Sequence, residues 1–187
     1  MTPTQVAASA ITRAQDTAVR MQIATAKHRD GLAQFVTGLS PESAYLRFFG
    51  ADPRPTPRML DLLSCSDRDH LAAIATVGGR VIAHAMLARR PHEDGCAEPT
   101  ELAVVVADSW QRHGVGPNLV QHLVSHASRL AHHGLEFTVL ADNFHANAVV
   151  QRLWPLATMS MDRGVISYRV DIDVPRAAAT RRSSLVA

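Results

Sequence analysis

The segment best suited to chemistry is a glycine-containing turn at residues 111–116, between an apolar run and an amphipathic stretch. Its glycines, Gly114 and Gly116, let main-chain N–H groups turn inward. The N–H groups that open a helix lack partners within it, so a helix starting here offers an anion site that suits phosphate. The turn is not a P-loop, since no Gly-Lys-Ser/Thr follows. It also differs in glycine spacing from the dinucleotide motif Gly-x-Gly-x-x-Gly.

Histidines and cysteines give no comparable signal. His122 and His126 stand four residues apart, the spacing of a metal pair on a helix, but no glutamate follows His122 as in the zinc-protease motif. A solvated helix face is the favoured interpretation. Cys65 and Cys96 are far apart and lack Cys-x-x-Cys spacing, which favours reduced cysteines without a disulfide. No metal is therefore expected.

Composition limits the classes of protein to which the chain can belong. It has 187 residues, 47% of them hydrophobic and 19% charged, which suits a single globular domain. Its apolar runs stay far below the ~20 residues that span a bilayer, and the N-terminus has no signal-peptide pattern. A cytoplasmic protein without a membrane partner is expected. A net charge of +2 is too small to indicate a nucleic-acid partner.

The first third of the chain is predicted to be mostly helical after one strand. Residues 19–26 alternate apolar and polar side chains, as a half-buried strand does. Asp30 stands ahead of a helical stripe, where it can cap a first turn. Ser40 and Thr56 each stand directly before a proline, which is the pattern of an N-cap followed by proline at the first helical position. These signals predict three short helices.

The remaining elements are predicted to form a sheet with two further helices. Gly78 and Gly79 separate two β-rich runs and form the preferred link of an antiparallel hairpin. A run that is apolar on both faces follows at residues 101–107 and favours a central strand. The later pattern predicts a helix opened by Pro117 and ended by Gly134, a strand at 135–140, a helix capped by Asp142 or Asn143, and a strand at 165–172.

In this setting the turn resembles a loop of the GNAT family of acyl-CoA N-acyltransferases. Gln111-x-x-Gly114-x-Gly116, after a buried strand and before an amphipathic helix, is similar to the family's coenzyme A pyrophosphate loop. The resemblance implies acetyl-CoA as co-substrate. The main chain of Val104 and Val106 would pair with its pantetheine arm, and Asn143 would lie near its thiol end. The residues implied to bind the cofactor are Val104, Val106, Gln111, Arg112, His113, Gly114, Val115, Gly116 and Asn143.

A narrower resemblance lies at residues 40–49, where Ser-Pro-Glu-Ser-Ala-Tyr-Leu-Arg-Phe-Phe is similar to the opening of the GNAT domain in bacterial protein-lysine acetyltransferases. Those enzymes use a glutamate on the central strand as general base, and the resemblance gives Glu101 that role. The chemistry is suitable, because a lysine amine with a pKa of ~10.4 is protonated at neutral pH and must lose a proton to become a nucleophile. A solvated carboxylate at the strand entrance is the alternative for Glu101.

The resemblance implies an α+β protein with the GNAT fold, a mixed and mostly antiparallel sheet with helices on both faces. The domain is expected over residues 18–174, with a flexible N-terminus at 1–17 and a flexible basic tail at 175–187. The expected activity is direct transfer of an acetyl group from acetyl-CoA to a primary amine, in the first place a protein lysine. A homodimer and the preferred acyl length stay open.

Two alternatives to this function stay open as well. The acceptor can be a small-molecule amine, or the chain can be a GNAT-like domain that binds acyl-CoA without catalysis. Pro117 favours the second alternative, because proline has no N–H to offer the phosphate site, and weaker cofactor binding is expected from it. The tyrosine that protonates the leaving thiolate in other members also has no clear equivalent, since Tyr168 stands too far along the chain.

Overall fold

Seven strands form one mixed sheet in the part of the chain that the structure describes. They are β1 (Arg20–Ile23), β2 (His70–Val77), β3 (Arg80–Ala88), β4 (Thr100–Val106), β5 (Leu135–Leu140), β6 (Thr158–Asp162) and β7 (Val165–Val170). Their order across the sheet is β1-β2-β3-β4-β5-β7-β6. Every neighbouring pair is antiparallel apart from β4 and β5, which run parallel.

The computed structural model describes residues 18–49, 54–89, 100–127 and 134–171. Some predictions fall outside these ranges: the flexible N-terminus at 1–17, the end of the domain at 172–174, the basic tail at 175–187, and Cys96. Within the described ranges, no helix has the length and hydropathy that crossing a membrane requires.

Within these described ranges, five α-helices cover the two faces of the sheet. They are α1 (Arg29–Thr37), α2 (Pro41–Phe48), α3 (Pro57–Leu63), α4 (Val115–Ser125) and α5 (Phe144–Leu153). Side chains of α1 and α3 pack with Ile74 and Met86 on one face. Side chains of α4 and α5 pack with Ala73 and Ala85 on the other, because successive residues of a strand point to opposite faces. The predicted sheet with helices on both faces is confirmed.

The predicted starts of α2 and α3 are confirmed by their caps. Ser40 Oγ accepts a hydrogen bond from the Ser43 N–H at 3.2 Å, and Thr56 Oγ1 accepts one from the Met59 N–H at 3.2 Å. In each helix proline occupies the first turn, where its missing N–H costs no intrahelical bond. The short helices of the first third are therefore fixed by local sequence.

The turn between β2 and β3 depends on the conformational freedom of glycine. Gly78 and Gly79 have φ angles of 54° and 78°. Both angles lie in the left-handed region, and a two-residue link of this kind matches the twist of the flanking strands. The predicted hairpin is confirmed.

Two boundaries predicted near the start of the domain are wrong. The first strand ends at Ile23, because a 3₁₀ turn at Ala26–His28 replaces its predicted last residues. Asp30 lies inside the first turn of α1 and makes no side-chain cap, since His28 occupies the N-cap position. The 3₁₀ turn therefore leads directly into α1, whereas the sequence pattern predicts one helix with a capped first turn.

The limits of α4 also differ from the prediction. The helix begins at Val115, two residues before Pro117, because Gly114 adopts a φ of 77° and forms the N-cap. It ends at Ser125, long before Gly134. At that end the Ser125 hydroxyl donates to the His122 carbonyl at 2.7 Å, and a polar side chain that binds the backbone in this way competes with helix continuation.

One strand was not predicted at all. β6 pairs antiparallel with β7 at the edge of the sheet, and all five of its residues are exposed. A strand without a buried face lacks the apolar alternation by which a strand is recognised in a sequence. Its presence follows from the pairing with β7 and not from its own pattern.

Candidate active site

The most unusual feature of the sheet is a gap between its two parallel strands. β4 pairs with β5 only through Thr100 opposite Leu135 and Glu101 opposite Glu136. Beyond these pairs the strands separate, and Val104 is 40% exposed although its strand is central. The gap opens toward the carboxyl ends of both strands, where α4 and α5 begin.

Main-chain groups of alternate β4 residues point into this gap. The Ala107 N–H donates to the Ile82 carbonyl next to β3, whereas the Thr100 N–H donates to the Gly134 carbonyl on the β5 side. Because backbone hydrogen-bonding groups alternate between the two edges of a strand, those of Val104 and Val106 face β5 as Thr100 does. Their N–H and C=O groups therefore line the gap.

The start of α4 presents N–H groups at the open end of the gap. The first turn of a helix has no intrahelical acceptors for its N–H groups, which here include those of Val115 and Gly116. Pro117 is the third residue of the helix and contributes no N–H. The Asn118 N–H donates to the Gly114 carbonyl at 3.2 Å and is therefore already used within the helix.

Two contacts hold this helix start against β4. A Cβ atom added at Gly116 would lie 3.4 Å from Val106 Cγ2, so the glycine permits close packing of helix on strand. The Gln111 side-chain amide donates to the Val106 carbonyl at 3.1 Å and to Ser43 Oγ at 2.9 Å. The side chain of Gln111 therefore braces the turn between β4 and α2.

The residues between Gln111 and Gly114 are open to solvent. Arg112, His113 and Gly114 are all exposed, and Arg112 has a φ of 62°. The His113 ring lies with Nδ1 at 2.7 Å from the Gln111 carbonyl. A guanidinium and N–H groups thus surround the turn, which favours an anion there.

Asp108 joins this turn to the first third of the chain, a contact that the sequence did not predict. Its carboxylate accepts hydrogen bonds from the Ser40 N–H at 3.0 Å, from Ser40 Oγ at 2.6 Å and from Ser43 Oγ at 2.7 Å. Burial raises the pKa of Asp108, but the hydrogen bonds from Ser40 and Ser43 outweigh it and lower the pKa. The carboxylate therefore stays charged and holds α2 beside the turn.

Two asparagines lie where β5 leads into α5, and the buried one, Asn147, was not predicted. Asn143 caps α5 by accepting the Ala146 N–H at 3.1 Å, as predicted for one of two candidates. Asn147 donates to the Asn143 carbonyl at 2.9 Å and accepts from the Tyr168 hydroxyl at 2.8 Å. Tyr168 is only 2% exposed, so its hydroxyl supports the junction of β5 and α5 from within the core.

Glu101 lies at the closed end of the gap and shares a sheet face with a buried histidine. Ala88 is opposite Glu101 and His84 is opposite Val105, so both side chains point toward α1–α3. His84 Nε2 donates to the Leu63 carbonyl at 2.9 Å. Burial, and then the charge of Arg47, lower the pKa of His84 to about 3. The imidazole is therefore neutral on the sheet face that Glu101 shares.

Arg47 brings a positive charge to the same region from α2. Burial lowers the pKa of Arg47 to about 10, and the charge of Glu101 opposes this shift. The guanidinium stacks on the Phe48 ring with its central carbon 4.8 Å from the ring centroid. Its Nε is buried and has no hydrogen-bond partner among the described residues. A charged donor thus stands beside the candidate base.

Comparison with known families decides what this arrangement is. The model of the GNAT acetyltransferase family matches residues 40–153, which run from the cap of α2 to the end of α5. The chain belongs to the GNAT family. The predicted membership is confirmed. GNAT acetyltransferases use acetyl-CoA as co-substrate.

Individual relatives agree with this GNAT assignment. Acetyltransferase Pat of Mycolicibacterium smegmatis is 32% identical over 136 residues, which are 71% of this chain and 39% of Pat. The GNAT domain of S. lividans PAT superposes with a TM-score of 0.72 at 25% identity, over 82% of this chain and 90% of that domain. The narrower resemblance at residues 40–49 is thereby confirmed.

A third relative shows the fold alone. A cAMP-binding acyltransferase from Mycobacterium smegmatis superposes with a TM-score of 0.53 at 24% identity, over 84% of this chain and 46% of that one. This chain thus spans less than half the length of that acyltransferase and of Pat.

The structure brings most of the predicted site residues to one place. The main chain of Val104 and Val106 lines the gap, and residues 111–116 lie at its open end. Asn143 lies beyond β5 at the same end, because parallel strands finish on the same edge of a sheet. Glu101 lies at the other end, where the two strands still pair.

Proposed function

We propose that this GNAT protein transfers an acetyl group from acetyl-CoA directly to the side-chain amine of a protein lysine, with Glu101 as general base. The observation that carries the proposal is the separation of β4 from β5 beyond Glu101. It leaves main-chain groups that do not pair with β5, a helix start and a carboxylate along the same gap.

The cofactor is proposed to lie in the gap with its pyrophosphate at the start of α4. The N–H groups of Gly114, Val115 and Gly116 suit phosphate oxygens, and the helix dipole favours negative charge there. The pantetheine arm carries amides that can pair with the main chain of Val104 and Val106. This orientation directs the thioester from the open end of the gap toward Glu101.

The proposed chemistry needs one base and no covalent enzyme intermediate. Glu101 takes a proton from the ammonium group, and the free amine attacks the thioester carbonyl carbon. The carbon–sulfur bond then breaks, the nitrogen gives up its second proton, and the thiolate takes up that proton as coenzyme A leaves. A thiol with a pKa of about 8.5 is a fair leaving group, so a tyrosine acid is not required. This agrees with the buried, hydrogen-bonded hydroxyl of Tyr168.

A protein acceptor is supported by exposed aromatic side chains on the helix that carries Arg47. Tyr45 and Phe49, at α2 and its end, are each 48% exposed. They flank Arg47, whose charge acts on Glu101. Aromatic rings suit the aliphatic part of a lysine side chain and the ammonium group that it carries. The similarity to Pat points in the same direction.

An acceptor panel tests the proposal. The full chain is incubated with acetyl-CoA and either lysine peptides, folded proteins or small amines, and both coenzyme A release and acetylated product are measured. We expect product on peptide or protein lysines. Product on small amines alone would establish the small-molecule alternative. Cofactor binding without coenzyme A release for any acceptor would establish the non-catalytic alternative.

A further inference from the structure

The turn between α3 and β2 gathers three side chains of the types that bind transition metals. A thiol sulfur of Cys65, a carboxylate oxygen of Asp67 and a ring nitrogen of His70 all lie within 4.8 Å of one another. The three residues occupy six consecutive positions, as Cys-x-Asp-x-x-His. Neither paired cysteines nor paired histidines reveal a mixed set of this kind in the sequence.

Two of the three separations are close to those within a metal site. Cys65 Sγ lies 3.0 Å from Asp67 Oδ2, and His70 Nδ1 lies 3.2 Å from Asp67 Oδ1. Zinc binds sulfur at about 2.3 Å and nitrogen or oxygen at about 2.0–2.2 Å, which puts neighbouring ligand atoms of a tetrahedral site about 3.5 Å apart. Small side-chain movements are enough to reach this geometry.

The carboxylate in the middle is held in place by the backbone. Asp67 Oδ1 accepts the N–H groups of Asp69 and His70, each at 2.8 Å. Hydrogen bonds of this kind to a ligating carboxylate orient it and maintain its position. The side chains of Asp67 and His70 are 53% and 29% exposed, so a cation reaches them from solvent.

We propose that Cys65, Asp67 and His70 bind a divalent cation of the zinc class, with water as the fourth ligand. Thiolate and imidazole select zinc and similar transition metals, whereas calcium and magnesium take oxygen ligands. The thiol proton of Cys65 leaves to solvent as the sulfur–metal bond forms, and His70 binds through Nδ1 with its ring proton moved to Nε2. The hydrogen bonds that Cys65 and His70 make with Asp67 are replaced by bonds to the same cation.

The proposed cation site links the end of α3 to the start of β2 and does not contact the reacting groups. His70 is opposite Ala88, and Ala88 is opposite Glu101, so the three residues form one row across three strands. Two strand spacings put His70 roughly 10 Å from Glu101. The cation therefore stabilises the turn beside the candidate active site and leaves acetyl transfer itself unchanged.

The test uses the purified full chain after removal of metal by a chelator and dialysis. Zn²⁺ binding is followed by calorimetry, and Co²⁺ binding by its thiolate charge-transfer absorption. We expect one cation per chain, a thiolate band with Co²⁺, and a loss of affinity of at least tenfold in both Cys65→Ser and His70→Ala. At a hundredfold excess over Kd, Zn²⁺ is expected to raise the Tm by roughly 5–10 °C.

Matched variants separate this site from others in the chain. Cys96→Ser removes the second cysteine and His126→Ala breaks the close pair of His122 and His126. Both variants are expected to bind Zn²⁺ as the parent does. Asp67 is left unchanged because it also accepts two backbone N–H groups. Circular dichroism of metal-free Cys65→Ser and His70→Ala checks that they fold. The proposal is overturned if Cys65→Ser and His70→Ala both bind Zn²⁺ as the parent does, if either control variant loses binding, or if the parent does not bind Zn²⁺.

Discussion

Glu101 and Glu136 form the last residue pair between β4 and β5, so a second glutamate lies directly opposite the candidate base. What distinguishes Glu101 is its surroundings. The charge of Arg47 acts on it, and the neutral ring of His84 lies on the same sheet face. A carboxylate beside the gap is suited to take a proton from an arriving amine.

The variant Glu101→Gln is expected to lower kcat by roughly 10²–10⁴-fold while leaving the Kd for acetyl-CoA unchanged, because the amide keeps the shape of the side chain but takes no proton. Steady-state kinetics at saturating acceptor, together with calorimetric titration of acetyl-CoA, measure the two quantities. Glu136→Gln is the matched control and is expected to retain the parent's kcat. A larger loss in Glu136→Gln would transfer the role to the neighbouring strand.

His84 makes the stability of the fold depend on pH. Its pKa is about 3 in the fold, lowered first by burial and then by Arg47. An unfolded histidine has a pKa of ~6.5. Between these values the unfolded chain takes up a proton that the folded chain excludes. The stabilising contribution is thus complete above pH ~6.5 and is lost as the pH falls toward 3, by up to about 1.4 kcal/mol per pH unit.

The variant His84→Gln is therefore expected to show a loss of unfolding free energy from pH 7 to pH 5 that is about 2 kcal/mol smaller than in the parent. Urea unfolding at the two pH values measures this difference, and glutamine can still donate to the Leu63 carbonyl. The exposed His145 supplies the control, since His145→Gln should keep the parent's pH dependence. Equal pH dependence in His84→Gln and the parent would show that another group is responsible.

At the scale of elements, the start of α4 is defined by one glycine in the left-handed region. Gly114 has a φ of 77°, and Gly79 in the β2–β3 turn has a φ of 78°. An added methyl group meets nothing within 4 Å at Gly79 and only the Asn118 amide, at 3.9 Å, at Gly114. Alanine is therefore expected to cause the same backbone strain at both positions, although only Gly114 lies at the start of α4.

Both Gly114→Ala and Gly79→Ala are expected to lower the unfolding free energy by about 1–2 kcal/mol, because alanine is strained at this φ. Only Gly114→Ala is expected to weaken acetyl-CoA binding, by roughly tenfold, since it disturbs the N–H groups that face the pyrophosphate. Denaturant unfolding measures the free energy of unfolding, and calorimetric titration measures the affinity for acetyl-CoA. If both variants bind acetyl-CoA equally well, the turn at α4 is not the phosphate site.

Local signals in the sequence were enough for the elements that they define. Ser40 and Thr56 before proline predict the starts of α2 and α3, and the glycine pair predicts the β2–β3 hairpin, because caps and tight turns depend on adjacent residues. The conformation of Gly114 was not predicted, and it moves the start of α4 two residues before Pro117. A single left-handed residue leaves no periodic pattern.

The contacts that assemble the site could not be read in the same way. Asp108 binds Ser40 across 68 positions, and Asn147 binds Tyr168 across 21. Each of these residues also suits a surface loop or a helix, so only the folded chain shows the pairing. The residues of the gap were predicted through a family resemblance, and the separation of β4 from β5 then gave that prediction a geometric basis.

At the scale of the whole molecule, the gap divides the sheet into two unequal halves. Strands β1–β4 are covered on both faces. Strands β5–β7 share a core with them only on the side of α4 and α5, where Phe137 and Tyr168 pack. Direct pairing between the halves is limited to the two residue pairs of β4 and β5. The half with β5–β7 therefore depends on fewer contacts and is expected to open more readily.

Without acetyl-CoA, amides of β5 and β7 are expected to exchange hydrogen faster than those of β2 and β3, and binding should reduce this difference, because a ligand in the gap contacts both halves. Hydrogen exchange with residue resolution measures it. The Val104 amide, which faces the gap, should gain protection on binding. The Val105 amide already faces β3 and should change less. Equal exchange in the two halves of the free protein would show that the core on the α4 side is enough to hold the halves together. Protection confined to one half would place acetyl-CoA outside the gap.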